Sequence, residues 1–156
     1  MSRETSTMFL GIDPGRWKIG FAAAERDRLL FSAIIPKDKE DALVCALSSR
    51  DIPALDRWVK EGRAEDAAFD RDTKIFIGDG TSSGELRGKL AKSADVAVVN
   101  EYGTTLAGRK LYWKLHPPVG LWRLIPTSLR VPPRDIDDLA AWAIIISALD
   151  GPTRIN

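Results

Sequence analysis

Apolar residues fall along the chain in two textures, and each predicts a kind of element. Compact runs bounded by turn residues read as buried strands. Met8–Ile12 is the first, Ile19–Ala24 the second, and Arg28–Pro36, with Leu29-Leu30-Phe31 and Ala33-Ile34-Ile35, the third. Pro14-Gly15 and Asp27-Arg28 turn the chain between them. Three strands in succession without helices imply an antiparallel meander. Thr73–Ile77 and Asp95–Val99 are two further strands. Longer mixed stretches predict helices. Asp38–Gly62 is one, with Leu43, Leu47, Leu55 and Trp58 as core positions and Pro53 interrupting it. Glu85–Ser93 is another, and Leu106–Leu115 a third, with Thr104-Thr105 ahead of it as capping residues. Asp135–Leu149 is apolar nearly all round beyond Asp138, the pattern of a buried helix. Pro117, Pro118, Pro126, Pro132 and Pro133 exclude regular structure from the stretch before it.

This order predicts an α/β fold, a five-stranded mixed sheet with helices on both faces. The 156 residues suffice for one domain, residues 8–156, behind a polar N-terminal tail, residues 1–7, expected to be flexible. An apolar content of 44% argues against disorder. No apolar run is long enough to span a bilayer and the start lacks a signal-peptide core, so a cytoplasmic protein is expected. Cys45 is the only cysteine and His116 the only histidine. An internal disulfide, a thiolate cluster and any site needing two histidines are thereby excluded.

The candidate chemistry lies in carboxylates. Asp13 closes the first strand, Asp79 follows the fourth within the glycine-rich Gly78–Gly84 loop, and Glu101 follows the fifth. That loop lacks the lysine of a P-loop, so triphosphate binding is not supported. The first turn of the last helix carries Asp135, Asp137 and Asp138. Asp135 reads as the N-cap with Asp138 three residues on as its partner, which leaves Asp137 without a capping role. In α/β sheets ligands meet the carboxyl ends of the strands. Carboxylates converging there repel one another unless a hard cation lies between them, and Mg2+ or Mn2+ fits. Two such ions about 4 Å apart would activate a water and stabilise the leaving oxygen in phosphodiester cleavage.

Charge adds a partner. The net charge is +1, too small to draw the whole chain to nucleic acid. Between Glu101 and Arg134, however, Arg109, Lys110, Lys114, Arg123, Arg130 and Arg134 face a single acid, Glu101, with Tyr102, Tyr112, Trp113 and Trp122 interleaved. Such a segment suits nucleic acid, through phosphate neutralisation and base stacking. Core aromatics under a solvated charged face account for it equally well.

Three stretches carry a resemblance. Leu10-Gly-Ile-Asp-Pro-Gly-Arg-Trp-Lys-Ile-Gly-Phe-Ala22 resembles the opening of the YqgF family, the RuvC-like branch of the ribonuclease H-like superfamily. Val98-Val-Asn-Glu-Tyr-Gly-Thr-Thr-Leu-Ala107 resembles its Asp-Glu-Arg-x-Thr-Thr-x-x-Ala segment, and Ile136-Asp-Asp-Leu-Ala-Ala-Trp-Ala-Ile-Ile-Ile146 its closing Asp-x-x-Ala-Ala helix. The resemblance implies a ribonuclease H-like fold and a metal-dependent endonuclease acting on structured nucleic acid, a ribosomal RNA precursor or a branched DNA junction. By position it assigns metal binding and catalysis to Asp13, Glu101 and Asp137. Asp138 resembles the aspartate that precedes a small apolar pair in the resolvase branch and is retained as a metal ligand, with Asp79 in reserve. Arg16 and Lys18, within the first motif, join Arg109, Lys110, Lys114, Arg123 and Arg130 as nucleic-acid contacts. The chain departs from the pattern at Asn100 and Tyr102, which stand for an aspartate and an arginine. It departs again at Gly78-Asp79-Gly80, in place of a Gly-x-Pro turn, and in a longer connection over residues 116–133. Junction cleavage would favour a homodimer, since two opposed strands are cut together. The alternative is a binding module that has kept the fold and lost turnover. A sugar-kinase or actin-like ATPase shares the Gly-x-Asp-x-Gly start but needs a second domain and a second phosphate loop, for which the chain is too short.

Overall fold

A computed structural model describes residues 7–80, 82–92, 95–100 and 103–150. The expected tail, residues 1–7, lies outside them except for Thr7, and so do Glu101 and Tyr102. The chain opens with strands β1 (Phe9–Pro14), β2 (Lys18–Ala24) and β3 (Leu29–Pro36), paired antiparallel as the meander predicts. Helix α1 (Glu40–Ser48), strand β4 (Val59–Gly62), strand β5 (Lys74–Gly78), helix α2 (Ser83–Leu90) and strand β6 (Val96–Val99) follow. Helices α3 (Thr104–Leu115) and α4 (Asp137–Asp150) close the described chain.

The sheet has six strands in the order β4-β3-β2-β1-β5-β6, not the five expected. The sixth is β4, which falls in the stretch expected to be helical. After α1, Pro53 opens a 3-10 turn over Ile52–Trp58, and the chain then runs extended along β3. Only Val59 in Val-Lys-Glu-Gly favours a strand, so the partner edge rather than propensity sets the conformation. β5 and β6 run parallel to β1, with Ile12 beside Ile77 and Gly78 beside Val99. The carboxyl ends of β1, β5 and β6 therefore share one edge of the sheet.

Alternation along β1 and β2 divides the core between two faces. Leu10, Ile12, Ile19, Phe21 and Ala23 pack with Leu43 and Leu47 of α1 and Leu86 and Leu90 of α2. On the other face Phe9, Ala22 and Ala24 meet Leu139, Ala141, Trp142 and Ile145 of α4, with Tyr112 of α3 behind them. Helices thus cover both faces, as expected. α4 is buried over Asp138–Ile145, in keeping with its nearly continuous apolar pattern.

The contact between α4 and the sheet depends on two glycines. A Cβ on Gly11 would stand 2.3 Å from the Ala141 carbonyl oxygen, and one on Gly20 would stand 1.9 Å from that of Asp137. Helix backbone therefore rests directly on strand backbone, a distance open only to residues without a side chain. Gly20→Ala is expected to lower stability by about 1–3 kcal/mol through overpacking against backbone that cannot rotate away. A urea titration would show this as a fall in midpoint with an unchanged slope, and an unchanged midpoint would refute the close contact.

Candidate active site

Two carboxylates meet because of that close packing. Asp13 lies within β1 rather than beyond it, since the strand continues through Pro14, and it pairs with Gly20 across the ladder. By alternation it shares the α4 face with Phe9 and Gly11. Gly20 is also where the first turn of α4 touches the sheet, at the Asp137 carbonyl. Asp13 and Asp137 consequently border one open cavity of about 740 Å³, together with Lys60, Thr105, Arg109 and Arg134. Pro132 and Pro133 form part of its wall.

The two acids of the α4 entrance that flank Asp137 have other attachments. The helix begins at Asp137, with Ile136 accepting hydrogen bonds from the Leu139 and Ala140 amides at 2.9 Å. The expected Asp135 cap is therefore displaced. Asp135 is exposed and binds Lys18 instead, which lowers the carboxyl and raises the amine. Asp137 itself is half-buried, and its carboxyl is pushed up by burial first, with the charges of Asp135 and Asp138 adding to the effect. Its own backbone amide and Lys18 pull the other way without reversing it.

Asp138 points away from this chemistry. It is fully buried, accepting from Ser32 Oγ of β3 at 2.6 Å and from Arg134 Nη1 at 2.8 Å and Nη2 at 3.3 Å. Arg134 Nη2 also donates to Glu61 Oε1 of β4 at 2.9 Å, and His116, at the end of α3, stands 2.5 Å from the same oxygen. Burial alone would raise Glu61, but hydrogen bonds from His116 and Arg134 outweigh it and hold the carboxyl low. Burial likewise opposes the Arg134 charge, and bonds to Asp138 and Glu61 sustain it. The network ties β3, β4, α3 and α4 together behind the cavity. Asp138 is thus engaged as a structural anchor and does not line the cavity.

The other expected residues divide by position. Asp79 follows β5 at the same sheet edge, exposed, its amide donating to the Val99 carbonyl at 3.0 Å, but it does not line the cavity. Glu101 lies outside the described residues. Of the expected nucleic-acid contacts, Arg109 lines the cavity, and Arg16, Lys110, Lys114 and Arg123 are exposed. Lys18 and Arg130 are held by protein partners. Arg130 donates to the Ile125 carbonyl at 2.7 Å and to Thr127 at 3.2 Å, and it lies 5.6 Å over the Trp113 ring. Tyr112 is buried and Trp113 stacks on Trp122, its indole donating to the Arg130 carbonyl at 3.1 Å. Trp113 and Trp122, with Arg130, therefore fasten residues 116–133 to α3.

Sequence reading missed Ser32, Lys60, Glu61 and Thr105 as parts of the site and its support, and counted Arg134 in the basic aromatic segment without seeing its bond to Asp138. Ser32 carried a signal, being the one hydroxyl in an apolar strand. Lys60 and Glu61 carried none, because their stretch read as helix.

Among the described residues no group of three or more Asp, Glu, His or Cys side chains is placed to hold a metal. The pair present nevertheless suits a hard cation. Both donors are carboxylates, no thiolate or imidazole lines the cavity, and Asp137 is desolvated among like charges that a cation would offset. No helix among the described residues is long and apolar enough to cross a membrane.

No protein-family model matches the chain. No curated protein matches it either. Among solved structures it is similar to RuvC of Thermus thermophilus, at 16% identity and a TM-score of 0.46, over 94% of this chain and 98% of that one. It is also similar to a ROK hexokinase of Thermus thermophilus, at 18% identity and a TM-score of 0.43, over 66% of this chain. The match spans 38% of the hexokinase's length. At these identities and scores neither likeness speaks to function.

Proposed function

We propose that this chain is a metal-dependent endonuclease that hydrolyses phosphodiester bonds in structured nucleic acid. The observation that carries the reading is the convergence of Asp13 and Asp137 in one cavity bordered by Lys60, Arg109 and Arg134. Acids alone would repel a phosphodiester and bases alone would merely bind it. Carboxylates and basic groups lining one cavity suit a site where a divalent cation and a phosphate meet. Asp13 and Asp137 would hold Mg2+ or Mn2+, with Glu101 entering on its place in the sequence motif. The bound cation supplies an activated water and charge stabilisation for the leaving oxygen. Arg109 and Lys60 hold the phosphate backbone, and Thr105 offers a hydroxyl to the same cavity. Arg134 keeps its charge at the wall while anchoring Asp138. The family resemblance of the three motifs supports the same reading and suggests two substrates, a ribosomal RNA precursor and a branched DNA junction. A homodimer belongs to the junction reading, where two strands are cut together.

The test is cleavage of a four-way DNA junction and a structured RNA side by side, in Mg2+, in Mn2+ and in EDTA, with Asp13→Asn as control. Cleavage that needs the metal and falls at least about 100-fold in the variant is the expected result, as for loss of a charge-stabilising group. Cleavage that survives in Asp13→Asn would refute the site. Tight binding of either substrate with no cleavage in any metal would replace the enzyme with a nucleic-acid-binding module.

A further inference from the structure

We infer that Trp17 is a stacking platform for an unpaired base, so that the strand entering the cavity is single-stranded beside the bond to be cut. This rests on the nuclease reading for the strand's direction, and it adds the substrate class. Trp17 sits at the tip of the β1–β2 turn and is 75% exposed, whereas Trp142 of the core is 2% exposed. The turn is fixed rather than loose. The Gly15 amide donates to the Lys18 carbonyl at 2.9 Å, and the Lys37 amide donates to the Trp17 carbonyl at 2.9 Å. The backbone beneath the indole is braced, so stacking on it does not have to order the turn as well.

Its surroundings specify the partner. The Arg16 guanidinium lies 5.7 Å from the Trp17 ring centroid, and Lys18 is attached to Asp135 on the cavity border. The tip therefore joins an aromatic face to a cation at the margin of a site built for a phosphodiester. Trp17 lies four positions after Asp13, a reach of no more than about 14 Å along the backbone. A nucleotide whose neighbouring phosphate lies in the cavity can place its base on the ring. Only an unpaired base has a face to offer, since a base within a duplex is stacked on both sides. Stacking is tolerant of base identity, so the platform selects single-stranded character rather than sequence.

The experiment measures binding in EDTA, by fluorescence anisotropy, of a labelled hairpin with a single-stranded flank and of the same hairpin with a blunt end. Trp17→Ala should weaken binding of the flanked hairpin by about tenfold, as for the loss of one stacked base, and leave the blunt one unchanged. Trp17→Phe should restore most of the loss. The slope of affinity against salt should be unchanged in Trp17→Ala and fall by about one in Arg16→Ala, because only the second removes a phosphate contact. Equal affinity of Trp17→Ala and the parent for the flanked hairpin would overturn the inference. Equal affinity with a halved mass by light scattering would also overturn it and assign the indole to a second protein chain. Failure of the parent to bind the flanked hairpin would overturn the inference and leave the nuclease to the cleavage test. Binding with the expected Trp17 effect, but with no metal-dependent cleavage, would sustain the platform and remove the enzyme.

Discussion

Replacing Arg134 by alanine is expected to destabilise the fold by about 3–5 kcal/mol, the range for removing one partner of a buried ion pair. Asp138 has no exposed surface, and of the partners shown among the described residues only the Ser32 hydroxyl would stay without the guanidinium. Glu61 would lose its guanidinium partner at the same time. Lysine should rescue only part of the loss, since one ammonium cannot reproduce the forked contact that spans Asp138 and Glu61. The diagnostic variant is Arg134→Ala combined with Asp138→Asn. A neutral amide is less penalised by burial than a carboxylate, so the double variant should be more stable than Arg134→Ala alone. Urea denaturation measures all of these. A loss of under about 1 kcal/mol for Arg134→Ala would place the pair in the class of weak surface bridges and refute the anchor.

Replacing Asp137 by asparagine should move activity and stability in opposite directions. Cleavage should fall at least about 100-fold with loss of a charge at the reacting phosphate. The midpoint of thermal unfolding in EDTA should rise. The sign follows from the carboxyl's displacement upward in the folded state by burial and by its acidic neighbours. At a pH between the unfolded and folded values the folded protein binds the extra proton. Stability contributed there is present at acid pH and is lost as the pH rises through the folded value. Above both values the ionised carboxylate is a standing burden, and asparagine removes it. The pH dependence of stability should flatten across that window in the variant. An unfolding midpoint that falls with Asp137→Asn, at neutral pH and without metal, would show that the carboxylate supports the fold rather than opposing it.

The strands with compact apolar runs, the buried last helix and the turn at Gly15 were legible because a period of two, or its absence, marks burial directly. Asp13 was legible as a candidate because a carboxylate beside a buried run is conspicuous. Its convergence with Asp137 depended on a tertiary feature, two glycines that let a helix rest on strands, and no local pattern announces which glycines do this. The partners of Asp138 were not legible for a related reason. Asp137 and Asp138 are adjacent, and one residue of helical rotation decides which faces the cavity and which faces Ser32. β4 was hidden because its residues have little preference of their own and adopt the geometry that β3 offers. The basic aromatic segment balanced between two readings; Arg130 and Trp113 are engaged in packing, whereas Lys110, Lys114 and Arg123 are exposed.

The mounting of α4 across the first strands also bears on synthesis. Ser32 and Asp138 stand 106 residues apart in sequence yet share a hydrogen bond, and the carboxylate pair is drawn from the same two remote regions. A chain emerging from the ribosome exposes β1 and β2 long before α4 is made. Until that helix docks, Asp13 has no Asp137 beside it and the cavity has no wall. A product cut short before that helix therefore lacks the pairing of Asp13 with Asp137 on which the proposed site depends.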